Sequence, residues 1–303
     1  MVLRTSKQTL EMNWALMTVA LVAALLLILQ LWSRSDVHAV DTAWRDLIRK
    51  APIAPTAFDP AMIADLPEPA RRFFTGTIRP GTPLLKVAEV TMHGELSLGT
   101  KSKHTYWPMR ACQILAAPEG FIWEVATGRT PFGLAGSDGA LDGSSWTRFW
   151  MAGVLPVARV GGNRDHLRSS FGRYIADASF WTPAALMPSD TVLWEALDVD
   201  VARVTVSHGD FVQAVDLTLD SRGHPVQVVF ERWSDANADK VHRLQQFGGE
   251  LTDFREFDGF TVPTRVVAGN HFGTDEYFPF FKATVDNVRF ILSPDDSRGC
   301  HRP

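Results

Sequence analysis

The chain has 303 residues, of which 46% are hydrophobic and 21% are charged, a composition typical of a globular protein and not of a disordered one. Its 30 Lys and Arg residues against 34 Asp and Glu residues give a formal net charge of −4, and no run of basic residues follows residue 32. This mild acidity argues against a nucleic-acid partner, which normally needs a concentrated basic face.

An uncharged apolar segment, WALMTVALVAALLLILQLW, occupies residues 14–32. As a helix rising about 1.5 Å per residue it would span about 28 Å, close to the hydrocarbon thickness of a bilayer. Trp14 and Trp32 bound the segment, as is typical of the aromatic belts at membrane interfaces. We therefore predict that residues 14–32 form a transmembrane helix, with the membrane as its partner.

The charges that flank this segment predict its orientation. Arg4 and Lys7 precede it, so the positive-inside rule predicts a cytoplasmic N-terminus over residues 1–13 and a periplasmic or extracellular C-terminal part. The alternative is a cleaved signal peptide, with Val37-His38-Ala39 as its cleavage site. Because the apolar region of a signal peptide runs only about 7–15 residues, the longer segment favours an uncleaved anchor in the cell membrane.

Residues 33–65 are predicted to connect the membrane to the folded domain. Within them, DTAWRDLIRK (41–50) has the pattern of a short amphipathic helix, and the Pro- and Ala-rich stretch 51–60 is typical of an extended spacer. Residues 66–292 are numerous enough for one β-rich domain with a sizeable core. The tail, residues 293–303, is predicted to be disordered.

Beyond residue 84 the apolar residues follow the period of extended strands with Gly-containing turns, which is typical of an antiparallel meander. The predicted strands cover 87–98, 106–116, 121–125, 201–207, 211–219, 226–230, 246–257, 260–267 and 277–292, with strands resuming at 191 after one long helix. Asn163 can cap that helix, and apolar side chains at i, i+4, i+7, i+8 and i+11 from Leu167 share one face. The predicted class is α+β, mainly β. No βαβ alternation is present, so a parallel nucleotide-binding sheet is not expected.

Several stretches, in order along the chain, resemble a bacterial family of unknown function, DUF6544 (or DUF6920-like). They are LPEPARRF (66–73), WP (107–108), GFIW (120–123), RY (173–174), WTPAALMP (181–188), VLW (192–194), DFR (253–255) and GFTVPT (259–264). Asp177 stands where the family's RYxxE segment has Glu, so a carboxylate is retained with a shorter reach. The resemblance implies a strongly curved antiparallel sheet, a half-barrel related in shape to the periplasmic lipoprotein carriers LolA and RseB. It implies no established activity.

Motifs for catalysis and metal binding are not found in the sequence. It contains no GxSxG and no HExxH, and its nine His residues form no HxH or HxxxH pair. The stretch Gly136–Gly139 is predicted to be a glycine-rich loop, and Asp138 with Asp142 supplies too few oxygens for a calcium loop. No catalytic residue, metal or cofactor is therefore predicted.

Arg173 and six tryptophans are the main candidates for ligand contacts. Arg173 and Asp177 lie at i and i+4 of the predicted helix, where an ion pair is the ordinary interpretation and an anchor for a ligand's anionic head is the alternative. The tryptophans lie within or beside predicted strands, where they form either ordinary core or the wall of an apolar ligand site. The candidate ligand-binding residues are Trp107, Trp123, Trp146, Trp150, Arg173, Tyr174, Trp181 and Trp194.

The two cysteines, Cys112 and Cys300, are far apart in the sequence. Outside the cytoplasm they could form a disulfide that ties the C-terminal tail to an early strand. The alternative is one buried thiol and one thiol on a frayed tail.

Three functions from different classes remain open. The preferred one is non-catalytic binding of a lipid or other apolar ligand, because the tether, the aromatic content and the resembled fold agree with it. The first alternative is an interaction or sensor domain that binds another envelope protein. The second is a hydrolase with an unrecognised site, which requires acid, base and nucleophile groups that converge in one cleft.

Overall fold

One continuous helix, α1 (Val2–Ile48), opens the computed structural model, which describes residues 2–97, 99–128, 133–237 and 239–303. Its part from Asn13 to Ile48 contains an 18-residue window of mean hydropathy 2.4, none of which is buried. The helix is therefore long and apolar enough to cross a membrane. The predicted juxtamembrane helix exists as the last turns of α1, because no Gly or Pro separates it from the apolar segment.

The described residues form one antiparallel sheet of thirteen strands. These are β1 (Ala88–Ser97), β2 (Tyr106–Ala116), β3 (Gly120–Thr127), β4 (Leu134–Leu141), β5 (Ser144–Met151), β6 (Leu155–Gly161), β7 (Val192–Asp198), β8 (Val201–His208), β9 (Phe211–Leu219), β10 (Pro225–Ser234), β11 (Arg243–Phe257), β12 (Phe260–Asn270) and β13 (Phe278–Phe290). Their order is β6-β5-β4-β3-β2-β1-β13-β12-β11-β10-β9-β8-β7. Two meanders are thus joined by the pairing of β1 with β13, which aligns Ala88 with Phe290.

The segment predicted as a glycine-rich loop, Gly136–Gly139, belongs to strand β4, so that prediction was wrong. Both glycines are required by close cross-strand approach. A Cβ on Gly136 would lie 2.1 Å from the carbonyl oxygen of Arg148, and one on Gly139 would lie 2.5 Å from the Trp146 ring. Glycine here permits strand pairing and does not mark a turn.

Two further helices, α2 (Glu68–Thr77) and α3 (Arg164–Trp181), pack on one face of the sheet. Helix α3 begins with Asn163 as its N-cap, whose side chain accepts a hydrogen bond from the His166 N–H, as predicted. It carries the chain from β6 at one edge to β7 at the other. Since α3 contacts strands of both meanders, the sheet curves around it, and the face that it covers is the inner face.

The outer face of the sheet is covered by the last turns of α1. Alternating residues of the strands face this side, as Cys112 and Ile114 of β2 do. Trp44, Leu47 and Ile48 of α1 pack on them and are 0–1% exposed. The apolar helix is thereby joined to the domain through a packed interface and not through a flexible stalk.

The Pro-rich stretch after α1 also differs from the predicted extended spacer. Phe58 and Ile63 are 1% and 2% exposed, and Asp59 caps a short 3-10 helix, Pro60–Ile63. Leu66 is partly buried against the same core. The apolar side chains among the prolines explain the difference, because their burial holds the stretch on the domain.

Glu89 of β1 is a buried carboxylate, 1% exposed, on which three parts of the chain meet. It accepts hydrogen bonds from Trp44 Nε1 (2.7 Å), from Arg289 Nη2 (2.9 Å) and from the Gly299 N–H (2.9 Å). These donors belong to α1, to β13 and to the C-terminal tail. A buried carboxylate with this many donors has its hydrogen-bonding capacity satisfied. It therefore holds α1, β13 and the tail together at one point.

The tail, predicted to be disordered, is irregular but packed on the outer face. The Arg298 guanidinium lies 3.9 Å from the Trp44 ring centroid, and Arg298 and Arg302 both form ion pairs with Asp41 and Glu124. Cys300 is 6% exposed. The basic side chains of the tail face carboxylates of α1 and β3, which explains why a polar segment is held in place.

Cys300 lies directly against Cys112 of β2, with their Cα atoms 6.2 Å apart. This separation is within the range of a disulfide bond. The bond stays a prediction, and its effect would be to fix the tail across the outer face.

We predict that protein purified without reductant contains the Cys112–Cys300 bond. Peptide mapping after alkylation should find the two cysteine peptides linked, and reduction should lower the free energy of unfolding by about 2–4 kcal/mol. The Cys300→Ser variant is the control, since reductant should leave its stability unchanged. Complete alkylation of both thiols in the non-reduced sample would contradict the prediction.

Candidate ligand-binding cavity

A cavity of about 230 Å³ lies between α3 and the inner face of the sheet. Strands β1–β5 and β10–β13 form its floor, and α3 covers it with Ala176, Phe180 and Trp181. Most of its wall is apolar. The buried apolar residues from the strands include Leu96, Trp123, Val228, Phe230, Val266 and Ala268.

Four half-buried phenylalanines mark the open side of the cavity: Phe149, Phe247, Phe280 and Phe281. Phe149 lies two residues before the end of β5 at Met151, and Phe281 pairs with Leu96, the penultimate residue of β1. Strand register places the end of β5 (Met151), the end of β1 (Ser97) and the start of β13 (Phe278) on one end of the sheet. We call this the Met151 end, and the half-buried phenylalanines of the cavity wall lie toward it.

A set of polar side chains lines one wall. Arg173 of α3 forms an ion pair with Asp138 of β4, and its Nε lies 3.7 Å from Asp177 Oδ2. The Thr147 hydroxyl donates to Asp138 at 2.8 Å, and the Gln113 amide donates to Asp177 at 3.0 Å. The predicted Arg173–Asp177 pair is therefore present, but it lies beside a cavity and not on an open helix surface, with Arg173 only 20% exposed.

Arg232 of β10 is the second cation of this wall. Its Nε donates to the Ser169 hydroxyl at 3.2 Å, and its guanidinium lies 5.5 Å from the Phe247 ring centroid. Among the described residues, no carboxylate oxygen lies within 4 Å of it. Burial, together with the charge of Arg173, lowers the pKa of Arg232 to about 10, so the group stays protonated at neutral pH.

Asp177 has the opposite shift. Burial raises the pKa of its carboxyl, although the charge of Arg173 and the hydrogen bond from Gln113 partly offset this effect. Protonation of Asp177 would remove one of the three carboxylate charges, those of Asp138, Asp177 and Asp235, that act on Arg232. The site is therefore more positive when Asp177 is neutral.

Trp123 adds an unused donor to the cavity. It is 6% exposed, and its indole N–H has no hydrogen-bond partner among the described residues. The Arg173 guanidinium lies 5.0 Å from its ring centroid. A buried donor without a partner is uncommon and marks a place where a ligand oxygen would be stabilised.

The local sequence explains how these groups reach one place. In a strand, alternate side chains share a face, so Val228, Phe230 and Arg232 all point to the cavity. In a helix, residues four apart share a face, which brings Arg173 and Asp177 together on α3. Most of the members come from strands distant in sequence, and the curved sheet assembles them.

Three of the eight candidate residues line the cavity: Trp123, Arg173 and Trp181. Tyr174 lies beside it on α3, but its hydroxyl donates to the Pro118 carbonyl at 3.0 Å. It therefore helps to hold α3 on the sheet.

The other four tryptophans lie elsewhere. Trp146 and Trp150 of β5 face the outer side, where Trp150 Nε1 donates to Asp36 at 3.0 Å. Trp194 packs on the α2 side of the core, and Trp107 is 37% exposed at the Met151 end. Strand residues alternate between the two faces, and the sequence alone did not indicate which face each tryptophan would take.

Sequence reasoning missed Asp138, Gln113 and Arg232, as well as the phenylalanines at the opening. Asp138 lay in the segment interpreted as a loop. Arg232 carried a usable signal, because it continues the inward alternation Val228–Phe230–Arg232 with a charged residue on an otherwise apolar face. A charged side chain on an otherwise apolar face destabilises the fold unless it has a partner, so its presence there indicates a partner or a function.

A hydrogen-bonded chain at the first turn of α3 bears on the hydrolase alternative. Ser145 bonds to His166 Nδ1 at 2.8 Å, and His166 Nε2 bonds to Thr147 at 3.0 Å, which in turn donates to Asp138. The Ser145 residue is 3% exposed, so its hydroxyl is not accessible to a substrate. The chain instead ties the first turn of α3 to β5.

The volume of the cavity limits what it can hold. An apolar cavity of about 150 Å³ accommodates benzene. By proportion, a cavity of about 230 Å³ encloses roughly nine non-hydrogen atoms. One short chain, or the end of a longer one, fits; several acyl chains do not.

The raised pKa of Asp177 predicts how the free energy of unfolding depends on pH. The folded protein holds this proton to a higher pH than the unfolded chain does, whose ordinary Asp pKa is about 3.9. Stability is therefore lost as the pH rises from that value through the folded pKa. The Asp177→Asn variant does not have this loss. A difference of one between the folded and unfolded pKa of Asp177 corresponds to about 1.4 kcal/mol in the free energy of unfolding.

Denaturant titration between pH 4 and 8 should show the Asp177→Asn variant gaining stability relative to wild type as the pH rises, up to a plateau. The Asp190→Asn variant is the control for the loss of one exposed carboxylate. A constant difference between the Asp177→Asn variant and wild type over this range would contradict the assignment.

Comparison with solved structures finds similar folds at low identity. A domain from Vibrio parahaemolyticus described as an outer membrane lipoprotein-sorting protein has 13% identity and a TM-score of 0.37, and the match covers 67% of this chain and 85% of that one. A LolA superfamily protein from Nitrosomonas europaea has 12% identity and a TM-score of 0.40, with 73% and 91% covered. No curated protein matches the sequence.

The family comparison is more specific. A family of unknown function, DUF6544, matches residues 56–283, which span three quarters of the chain and include nearly the whole sheet, α2 and α3. This confirms the resemblance in the sequence, while its DUF6920-like part stays a prediction. The chain belongs to the DUF6544 family.

Proposed function

We propose that this protein is a membrane-anchored binding protein for a single apolar chain that carries an anionic head group. One observation carries the proposal: a largely apolar cavity contains the Arg232 guanidinium, which has no carboxylate partner within 4 Å among the described residues. Burying a cation that has no carboxylate in direct contact costs stability. A ligand anion would remove this cost, and the apolar wall would hold the attached chain.

The chemistry of the head group follows from the guanidinium. Arginine binds carboxylates and phosphates through two parallel N–H donors, so either group suits the site. Arg173 already has Asp138 and Asp177 as partners, whereas the Ser169 hydroxyl is the one hydrogen-bond partner of Arg232 within the described part of the chain. The indole N–H of Trp123, which has no partner among the same residues, offers a further donor. We assign the anion to Arg232 and the chain to the apolar wall beneath α3.

The anchor is the second part of the proposal. Helix α1 is long and apolar enough to span a bilayer, and charge asymmetry favours a cytoplasmic N-terminus with the domain in the periplasm or outside the cell. Asp36 supports an uncleaved helix, since it is 9% exposed and bound by Arg148, Trp150 and Arg159 of the domain. Signal cleavage after Ala39 would remove this bound carboxylate from the fold.

The size of the cavity and its charge lead to a matched pair of probes, octanoate and 1-octanol. The eight-carbon chain of each probe fits the cavity volume of about 230 Å³, and only octanoate carries an anion. Full-length protein in nanodiscs should bind octanoate more tightly, as measured by titration of the fluorescence of the tryptophans in the cavity wall. Arg232→Met should weaken octanoate binding about tenfold or more, because a charge-assisted hydrogen bond contributes about 1.5–3 kcal/mol, and should leave octanol binding unchanged.

Two variants complete the test. Arg168→Met is the matched control, since Arg168 lies on α3 over the Trp233 ring and outside the cavity. Ala176→Leu should weaken both probes because it fills the cavity. Unfolding of Arg232→Met should occur at the same temperature as wild type or higher, since the charge removed has no carboxylate within 4 Å among the described residues. Equal binding of octanoate by wild type and Arg232→Met would contradict the proposal.

A further inference from the structure

The hairpin of β5 and β6 has an unusual composition at its tip. From Met151 to Ala158 the sequence is MAGVLPVA, eight residues without one polar side chain. Ala152 and Gly153 form the turn with positive φ angles of 51° and 68°. Leu155 and Val157 are 53% and 43% exposed. An apolar tip on an edge strand is an aggregation hazard in water, so it requires a covering partner.

The position of the tip is fixed by a set of contacts between β5, β6 and α1. The rings of Trp150 and Trp32 meet edge to face with centroids 5.5 Å apart, and the Arg159 guanidinium lies 4.3 Å from the Trp32 centroid. Asp36 accepts hydrogen bonds from Trp150 and Arg159. We call these residues, together with Arg148, the Asp36 cluster. Trp32 is also the last residue of the apolar segment, where interfacial tryptophans are typical.

Strand β5 runs antiparallel to the end of α1. Lys50, just after α1, lies 3.4 Å from Asp142, just before β5, whereas Trp150 at the far end of β5 meets Asp36. Continuing along the strand direction, the Ala152–Gly153 turn follows directly after Met151, the last residue of β5. Gly153 borders the same surface cavity as Ser33. The tip therefore extends alongside α1 toward the apolar segment.

Electrostatics agrees with this placement. Burial alone would raise the pKa of Asp36, but its hydrogen bond to Arg159 and the nearby charges lower it overall. The cluster thus holds an ionised carboxylate between two arginines, on the side of the tip that faces the folded domain. At the boundary between lipid headgroups and acyl chains, charged groups are favoured on the headgroup side and apolar side chains on the acyl side. The cluster and the tip have this arrangement.

We propose that the Met151–Ala158 tip inserts into the surface of the bilayer that α1 enters, with Leu155 and Val157 in the upper acyl region. The occupant of this patch is lipid, because the patch is continuous with the apolar segment of α1 through Trp32. Two attachments, one helix and one hairpin, then fix the tilt of the domain. This inference rests on the anchor of the proposed function.

The placement has a consequence for the cavity. Phe149 precedes the tip by two residues, and the half-buried phenylalanines of the cavity wall lie toward the same Met151 end. The opening therefore lies at the bilayer surface. A chain can then pass between membrane and cavity without becoming fully exposed to water. Exposing an apolar chain to water costs about 0.8 kcal/mol for each methylene group.

The test uses full-length protein in which Cys112 and Cys300 are replaced by Ser and one new cysteine is introduced. Each variant is labelled with an environment-sensitive fluorophore and reconstituted in vesicles that contain lipids with a quencher on the upper acyl chain. Leu155→Cys tests the tip. Leu193→Cys is the matched control, an exposed leucine on β7 at 58% exposure. Leu26→Cys reports on the anchor. We expect quenching of the Leu155 and Leu26 labels to be at least twice that of the Leu193 label.

The outcomes separate the two proposals. An unquenched Leu26 label would overturn the anchor, whereas a quenched Leu26 label with Leu155 no more quenched than Leu193 would overturn the hairpin insertion alone. Oxidative cross-linking of unlabelled Leu155→Cys chains to each other, without lipid quenching, would place a second copy on the tip and would also overturn it. Intact folding of each variant is checked by its unfolding temperature.

Discussion

The packing of the last turns of α1 on the outer face of the sheet is the constraint on which the rest of the molecule depends. The outer face of the sheet is apolar around β2 and β3, and this part of the face must be covered. Trp44, Leu47 and Ile48 cover part of the outer face, and the Glu89 carboxylate joins α1, β13 and the tail at one buried point. Because the apolar helix and this packed segment are one continuous helix, the orientation of the domain relative to the apolar segment is determined.

The inner face shows the opposite situation, since one helix covers it incompletely. Helix α3 crosses from one edge of the sheet to the other and leaves a cavity of about 230 Å³. The residues around it are not those of an ordinary core, because, within the described part of the chain, Arg232 lacks a carboxylate and Trp123 lacks an acceptor. In a core these defects would be selected against on energetic grounds. A ligand with an apolar chain and an anionic head satisfies both groups.

The sequence predicted the strands best where alternation was clear, as in Phe211–Leu219, and the long helix because Asn163 caps a regular apolar face. It failed at Gly136–Gly139, where glycines serve cross-strand contact, and at the tail, where ion pairs with distant carboxylates provide the order. Trp123 and Trp181 were found in the cavity, but Trp146 and Trp150 were not, because alternation defines two faces without saying which is inner. Arg232 had a local signal in its inward alternation on β10, but its position beside Arg173 of α3 depends on packing between segments distant in sequence, which no local pattern contains.

The central claim is that one amphiphilic chain binds beneath α3 at the bilayer surface. A crystal structure of the full-length protein grown from a lipid mesophase tests it most directly. The account predicts elongated density along the apolar wall, with its polar end within hydrogen-bond distance of Arg232, and ordered lipid around Trp32 and the hairpin tip. A cavity closed by collapse of the phenylalanines at its opening, with Arg232 turned to solvent, would contradict it.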